Sequence, residues 1–283
     1  MDDVSGPAPI SGGTRTVGII GWPVEHSLSP AIHNAAFSAL QLDWIYVPLP
    51  VSPGSASAAL EGLRALGFAG ANVTMPHKDA AAEAMDRLSD DARRLHAVNT
   101  VVIDADGMTG HNTDAPGFDR FLRRDAGFEP TGRTALLFGA GGAARACALA
   151  LARAELARLT VALREPARAA ALRSALEGLG TALDVVSIEE APGRPADLIV
   201  NATPVEVVSS LPPVGEDTLV IDVRYDPPET ALHTAARAAG ATAFGGLGML
   251  LHQAALSFEL WTGRPAPLEV MSAAALAASA GRG

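Results

Sequence analysis

The segment that most constrains this chain is TALLF (Thr134–Phe138) running straight into Gly139-Ala140-Gly141-Gly142-Ala143-Ala144 and then an apolar helical pattern to about Arg153. A second apolar run follows at residues 159–163. Strand, glycine turn, helix, strand is the opening of a Rossmann-type βαβ unit. In such a turn Gly139 supplies the tight bend, Gly141 lets the backbone approach a pyrophosphate, and Ala144 permits close packing of helix on strand. Any tight βα connection uses glycine, so it is the placement between a clean strand and a clean helix that points to a dinucleotide. The next polar stretch, Leu163-Arg164-Glu165-Pro166-Ala167-Arg168, falls where the adenosine ribose is read. Arg164 suits the 2′-phosphate of NADP, Glu165 suits the 2′-hydroxyl of NAD, and the two disagree.

The rest of the chain alternates in the same way. Residues 16–20 read as a strand, Ser29-Pro30 as the opening of a helix, 44–49 as a strand, 57–66 as a helix stopped by Gly67, 71–74 as a strand and 80–88 as a further helix. Residues 100–103 and 108–111 flank Ala105-Asp106-Gly107, a hairpin signal, and 116–124 reads as helix. Beyond the glycine turn, 197–201 (DLIVN) and 219–223 (LVIDV) are near-continuous apolar runs, as expected of parallel strands covered on both faces. A helix is expected over 229–239 and a long amphipathic one over 247–261, with the first sixteen and last ten residues frayed.

Composition excludes several classes. Thirty-one acidic against 21 basic residues give a formal charge of -10, which disfavours a nucleic-acid partner. The start of the chain has no basic region followed by an apolar core, and glycines and Arg145 interrupt the longest apolar stretch, so neither a secretory signal nor a membrane span is expected. With one cysteine, Cys147, no internal disulfide forms, and the chain reads as cytoplasmic. The seven histidines show no zinc-ligand pattern, so no metal is expected; His33, His233 and His252 fall within helices, where packing or solvent contact is the simpler role. No G-x-S-x-G elbow occurs. All the basic residues but Lys78 are arginine, and a guanidinium stays charged where an ammonium can be tuned to release a proton.

Candidate chemistry clusters near strand ends. Ser29 is placed as an N-cap with Pro30 behind it, and with Ser27 it crowds hydroxyls at the positive end of a helix, an arrangement suited either to plain capping or to a small carboxylate. GANVTMPHK, ending in Lys78, leaves a strand in a polar loop, and Asn99-Thr100 and Asn112-Thr113-Asp114 are further amides, hydroxyls and a carboxylate.

Together HSLSP, GANVTMPHK, AVNT, HNTD, GAGGAA, NATP and GGLGMLLHQAALSFELWTG resemble the shikimate dehydrogenase family in order and spacing over about residues 16–265. The resemblance implies an α/β fold of two α/β domains. A substrate domain, residues 16–113, would be completed by C-terminal helices within 245–283, and residues 114–244 would form an inserted Rossmann domain. It implies reversible reduction of 3-dehydroshikimate to shikimate with NADPH, with Lys78 and Asp114 as the catalytic pair. Ser27, Ser29, Thr74, Asn99, Tyr225 and Gln253 would bind the substrate; Asp90, Gly139, Ala140, Gly141, Gly142, Ala143, Leu163, Arg164, Glu165, Arg168, Val223 and Gly246 would bind the cofactor. The partner is thus a shikimate-like carboxylic acid, with the chain a monomer or homodimer. Four departures from the family pattern stand out. Leu163-Arg164-Glu165 stands where Asn-Arg-Thr is common, which weakens but does not reverse the NADP expectation. Glu206 replaces a glycine, Arg224 an apolar residue and Gly245 an aspartate. The new charges near the ligand site leave quinate or another shikimate-like acid, with NAD, as the alternative, and a ligand sensor without catalysis as a more distant one.

Overall fold

A computed structural model describes residues 10–281. The chain divides into two compact units, one made of residues 1–113 and 251–283, the other of residues 114–250.

The first unit opens with β1 (Arg15–Gly21), α1 (Ser29–Ala39), β2 (Trp44–Pro50), α2 (Ala56–Ala65), β3 (Gly70–Val73), α3 (Lys78–Glu83), β4 (Arg87–Leu88), α4 (Asp90–Leu95), β5 (Thr100–Asp104) and β6 (Gly107–His111). The strands form one sheet in the order β2-β1-β3-β5-β6-β4. β1, β2 and β3 run parallel, as βαβ crossovers require, whereas β5 pairs antiparallel with both β3 and β6. That reversal matters for function. It brings the start of β5 and the end of β6 to the same edge of the sheet as the ends of β1 and β3. On one face Ile20, Leu60, Leu63, Ala71 and Val73 share a core with Ala81 and Ala82 of α3.

The expected helix over 80–88 is cut short. α3 ends at Glu83, and Arg87 and Leu88 pair instead with Thr109 and Gly110 of β6. Helix propensity at these positions is overridden by a free strand edge that two residues are enough to cover. α4, which the sequence reading did not separate, starts on a Ser89 side chain that accepts from the Ala92 N–H.

The second unit contains α5 (Asp114–Arg124), β7 (Thr134–Phe138), α6 (Gly142–Arg153), β8 (Arg158–Leu163), α7 (Ala170–Leu176), β9 (Ala182–Ser187), β10 (Leu198–Asn201), β11 (Leu219–Asp222), α8 (Ala231–Ala238) and β12 (Thr242–Gly245). Its sheet, β12-β11-β10-β7-β8-β9, is parallel throughout. The first three strands step one way from β7 and the last three the other, so the order reverses between β7 and β10, the switch point at which ligands meet such sheets. β10 and β11 are buried at every residue. Both end on a polar residue, Asn201 and Asp222, so their apolar bodies lie in the core and their polar ends mark the carboxyl edge. Thr230, not Glu229, opens α8 by a reciprocal cap with His233.

α9 (Leu247–Thr262) contains the second division of the chain, after Leu250, and α10 (Leu268–Ala280) follows it. Two expectations fail here. α9 is not amphipathic over 251–262, where Leu260 alone is exposed. The last ten residues are not frayed through their described part, because α10 packs on α1 and buries Met271 and Ala275. Aromatic rings join α1, β2 and α9, with Phe37 stacked 5.4 Å from Phe258 and Trp261 donating to the Val101 carbonyl at 2.9 Å. The expected fraying at the other end falls partly on residues 1–9, outside those described, while Arg15 and Thr16 already pair with Trp44 and Ile45. No helix among the described residues is long and apolar enough to cross a membrane.

Candidate functional site

In the first unit the candidate substrate residues gather at one sheet edge. Ser27 and Ser29 follow the end of β1, Thr74 and Lys78 the end of β3, Asn99 precedes β5, and Thr113 follows β6. The edge is held together by the backbone. The Thr74 N–H donates to the Ile20 carbonyl at 2.9 Å, and the Val73 N–H to the Asn99 carbonyl at 2.8 Å. The Val98 N–H donates to the Lys78 carbonyl at 2.9 Å. His77 reaches the Val51 carbonyl at 2.7 Å, fixing the start of α3 beside the end of β2.

The expected cap is corrected. Leu28, not Ser29, is the N-cap of α1, and it offers no side-chain bond. Ser29 is the first helical residue, almost fully buried, and its N–H donates to the Ser27 hydroxyl oxygen at 3.2 Å. Ser27 therefore satisfies one of the open amides of the helix start. The Ser29 hydroxyl has no partner among the described residues.

Beneath this edge lies a buried polar network. Asn99 Nδ2 donates to Thr113 Oγ1 at 2.9 Å and to Gln253 Oε1 at 3.3 Å, and Asn99 Oδ1 accepts from the Thr113 N–H at 2.7 Å. Thr100, Thr113 and Ser257 exchange hydroxyl bonds at 2.8–3.2 Å. Asn72 Nδ2 donates to Thr100, Ser257 and the Asn99 carbonyl, while its Oδ1 accepts from the Tyr46 hydroxyl at 2.8 Å. Asn99 and Gln253 are thus oriented by partners as well buried as themselves, which is how a recognition group is held in one rotamer. Asn72 and Ser257 are the supports that sequence reasoning gave no role, and Thr113, noted there only as one of a polar cluster, is the support that holds Asn99 directly. The available signal was a polar residue in otherwise apolar segments, Asn72 in β3 and Ser257 in α9. Asp90 opens α4 in this unit, exposed and paired with Arg93 at 3.0 Å.

The second unit begins at Asp114, the buried first residue of α5 and the next residue after Thr113. Its candidate dinucleotide residues line the carboxyl edge of the sheet. Gly139, with φ +111°, leaves β7 in a conformation that disfavours any other residue, and a Cβ there would lie 3.0 Å from the Ala202 carbonyl oxygen. Gly141 is the N-cap of α6, and a Cβ built there meets no atom within 4 Å. Nothing in the protein demands glycine at 141; what its absence of a side chain provides is room beside the first open amides of a helix. Ala140, Gly142 and Ala143 continue this cradle, whose chemistry fits a pyrophosphate. Leu163 ends β8 buried, Arg164 is exposed without an ion pair among the described residues, and Glu165 is paired with Arg168 at 3.2 Å. The pairing tempers the repulsion expected of Glu165, though an exposed pair is worth little. Val223 follows β11, with Tyr225 two residues on, and Gly246 follows β12. A Cβ on Gly246 would overlap the Val223 carbonyl, so these two turns lie in direct contact.

The two new charges noted in the sequence are not independent. Arg224 Nη2 donates to Glu206 Oε1 at 2.8 Å, and its Nε donates to buried Asp222 at 2.9 Å. Hydrogen bonds to Asp222, more than those to Glu206, hold the guanidinium above its ordinary pKa despite partial burial.

The family model described as the shikimate dehydrogenase substrate binding domain matches residues 19–101, and that described as the shikimate 5'-dehydrogenase C-terminal domain matches residues 246–276. A protein from Rubrobacter xylanophilus named shikimate dehydrogenase (NADP(+)) is 49% identical over 265 residues, 90% of this chain and 93% of its own. A crystal structure of a shikimate dehydrogenase in complex with NADP+ superposes with a TM-score of 0.86 at 34% identity, covering 96% of this chain and 99% of the other. A quinate dehydrogenase from Corynebacterium glutamicum in complex with NAD superposes with a TM-score of 0.84, also at 34% identity, over 93% of this chain and 99% of the other.

Proposed function

The chain belongs to the shikimate dehydrogenase family, and on that premise we propose that it interconverts 3-dehydroshikimate and shikimate reversibly with NADP. It is an oxidoreductase acting on a CH–OH group. The observation that carries the reading is the convergence of the sole lysine with Ser27, Ser29, Thr74 and Asn99 at one edge of the first sheet. Two relatives named shikimate dehydrogenase (NADP(+)) stand at 44% and 49% identity, against 34% for the quinate dehydrogenase, so the quinate and NAD alternative is not favoured.

NADPH supplies a hydride to the ketone carbon when bound. The residues 139–143 fit its pyrophosphate, Leu163, Arg164, Glu165 and Arg168 its adenosine ribose, and Val223 and Gly246 its remaining length, with Asp90 assigned to the cofactor on the family pattern alone. Each other role belongs to the chain itself. The hydroxyls of Ser27 and Ser29, beside the open amides of α1, suit the substrate carboxylate. Thr74, Asn99, Gln253 and Tyr225 donate to or accept from its hydroxyls. The Lys78 ammonium stabilises the alkoxide that develops as the ketone is reduced and hands it a proton; in reverse, the amine takes the hydroxyl proton. Asp114 is its partner in that transfer. Residues 16–113 with 245–283 thereby serve mainly the substrate and 114–244 mainly the dinucleotide, with Asp90 and Gly246 of the first set assigned to the cofactor and Asp114 and Tyr225 of the second to the substrate.

The test is a spectrophotometric screen of shikimate and quinate against NADP and NAD. Cofactor reduction is expected with shikimate and NADP at the highest kcat/KM. If the protein reduces neither cofactor with either acid, the reading fails.

A further inference from the structure

Three consecutive turns at the carboxyl edge of the second sheet are fastened around one buried charge. Asp222, which ends β11 with no exposed surface, accepts from the Arg224 N–H at 3.1 Å, from Arg224 Nε at 2.9 Å and from Thr230 Oγ1 at 3.1 Å. Asn201, at the end of β10, donates to Asp222 at 3.4 Å and to the Val205 carbonyl at 3.1 Å. Arg224 then reaches outward to Glu206, in the turn after β10. Its carbonyl accepts from the Gly246 N–H at 2.9 Å, in the turn after β12.

The members of this cluster carry different burdens. Asp222 needs Arg224, since a buried carboxylate without a cation would strongly destabilise the fold. Glu206 carries no such burden. Its side chain is 47% exposed, and no buried group depends on it for a partner. As a stabilising contact a pair of this kind is worth little. Its position gives it another use: Val207 next to it is buried in the sheet core, so Glu206 stands on a short, anchored turn facing the turn that carries Val223 and Tyr225.

We infer that Glu206 and Arg224 form a clasp that sets the spacing between the turns after β10 and β11 and so positions Val223 and Gly246 for the dinucleotide. Both are positioning residues; neither takes part in the chemistry. The inference rests on the assignment of Val223 and Gly246 to the cofactor.

Glu206→Ala and Glu206→Gln in the full-length protein test it, since Arg224 stays in place to neutralise Asp222. At low ionic strength the KM for NADP should rise roughly two- to fivefold in Glu206→Ala, the range for loss of one partly exposed ion pair, and less in Glu206→Gln, which keeps an acceptor of the same length. The kcat, the KM for shikimate and the thermal midpoint should stay near wild type. Raising the salt should shrink the ratio of variant to wild-type KM toward one, because the pair is screened. An unchanged KM for NADP in Glu206→Ala overturns the clasp, as does a ratio indifferent to salt or a loss confined to the thermal midpoint. Wild-type protein inactive with every acid and cofactor overturns the functional reading instead, and the clasp is then decided by direct NADP titration of the same proteins. Equal affinities, or no binding at all, overturn it.

Discussion

His33 makes the first unit sensitive to acid, by an amount that follows from its surroundings. The ring lies on α1 with no exposed surface, stacked 4.5 Å from Tyr46 at 5° and tilted against Trp261 at 5.3 Å. Neither ring nitrogen has a partner among the described residues. Burial alone lowers its pKa from 6.5 to about 3. Below pH 6.5 the unfolded chain takes up a proton that the folded chain refuses until about pH 3, so stability is whole above 6.5 and drains away as pH falls through that window. At about 1.4 kcal/mol per pH unit the loss is ~2 kcal/mol at pH 5 and approaches ~5 kcal/mol near pH 3. A typical domain has only about 5–15 kcal/mol to lose. His33→Phe keeps the stack and removes the titration, and it spares the neutral ring an N–H without an acceptor, a defect of about 1–3 kcal/mol. Trp22, Trp44 and Trp261, all three tryptophans of the chain, lie in the first unit, so their fluorescence in urea reports that unit alone. His33→Phe should be at least as stable as wild type at pH 8, with the gap widening by ~2 kcal/mol at pH 5. His111, whose pKa burial also lowers, is present in both proteins and cancels in the difference. Parallel stability curves from pH 8 to 5 would refute the reasoning.

Lys78→Met should cut kcat by about 10²–10⁴ with little change in KM for shikimate, and Lys78→Arg, which keeps the charge but holds its proton, should fare no better. Near-wild-type turnover in purified, folded Lys78→Arg would reduce Lys78 to an anchor. Ser27→Ala removes a hydroxyl that serves both the Ser29 amide and the proposed carboxylate, and the KM for shikimate should rise by the equivalent of about 1.5–3 kcal/mol. An unaltered KM in the Ser27→Ala, Ser29→Ala double variant would place the carboxylate elsewhere. Arg164→Ala should lower kcat/KM for NADP more than for NAD, whereas Glu165→Thr should raise the NADP to NAD ratio and free Arg168 from its pair. If the ratio ignores both changes, neither side chain reads the ribose.

What the sequence disclosed depended on distance along the chain. The glycine turn, the apolar strands β10 and β11 and the hairpin of β5 and β6 are encoded in contiguous residues, and each is found where its pattern put it. β4 is two residues long and exists only because β6 offers an edge, so no local pattern announces it. The cap at Ser29 was misplaced by one position because Ser and Pro both favour helix starts, and the deciding contact, Ser27 with the Ser29 amide, is a matter of geometry. The supports of Asn99 come from β2, β3, the end of β6 and α9. The bond from Asn72 to Ser257 joins residues 185 apart in sequence, a partnership legible only once the sheet order is known. Glu206 and Arg224 each looked like an isolated departure, and sheet order again makes them a pair.

The division of the chain also has a consequence for its birth. Residues 114–250 leave the ribosome as one uninterrupted stretch holding every strand of their sheet, and can close as soon as they have emerged. Residues 1–113 cannot. Their aromatic layer waits for Phe258 and Trp261, and α1 waits for α10, so at about 5–20 residues per second the older half remains open for roughly 7–30 s while the younger half is made. For that interval Ile32, Phe37 and Tyr46 have no cover from the chain's own end. Of the two units, the one that comes first in the sequence is thus the last whose core is completed.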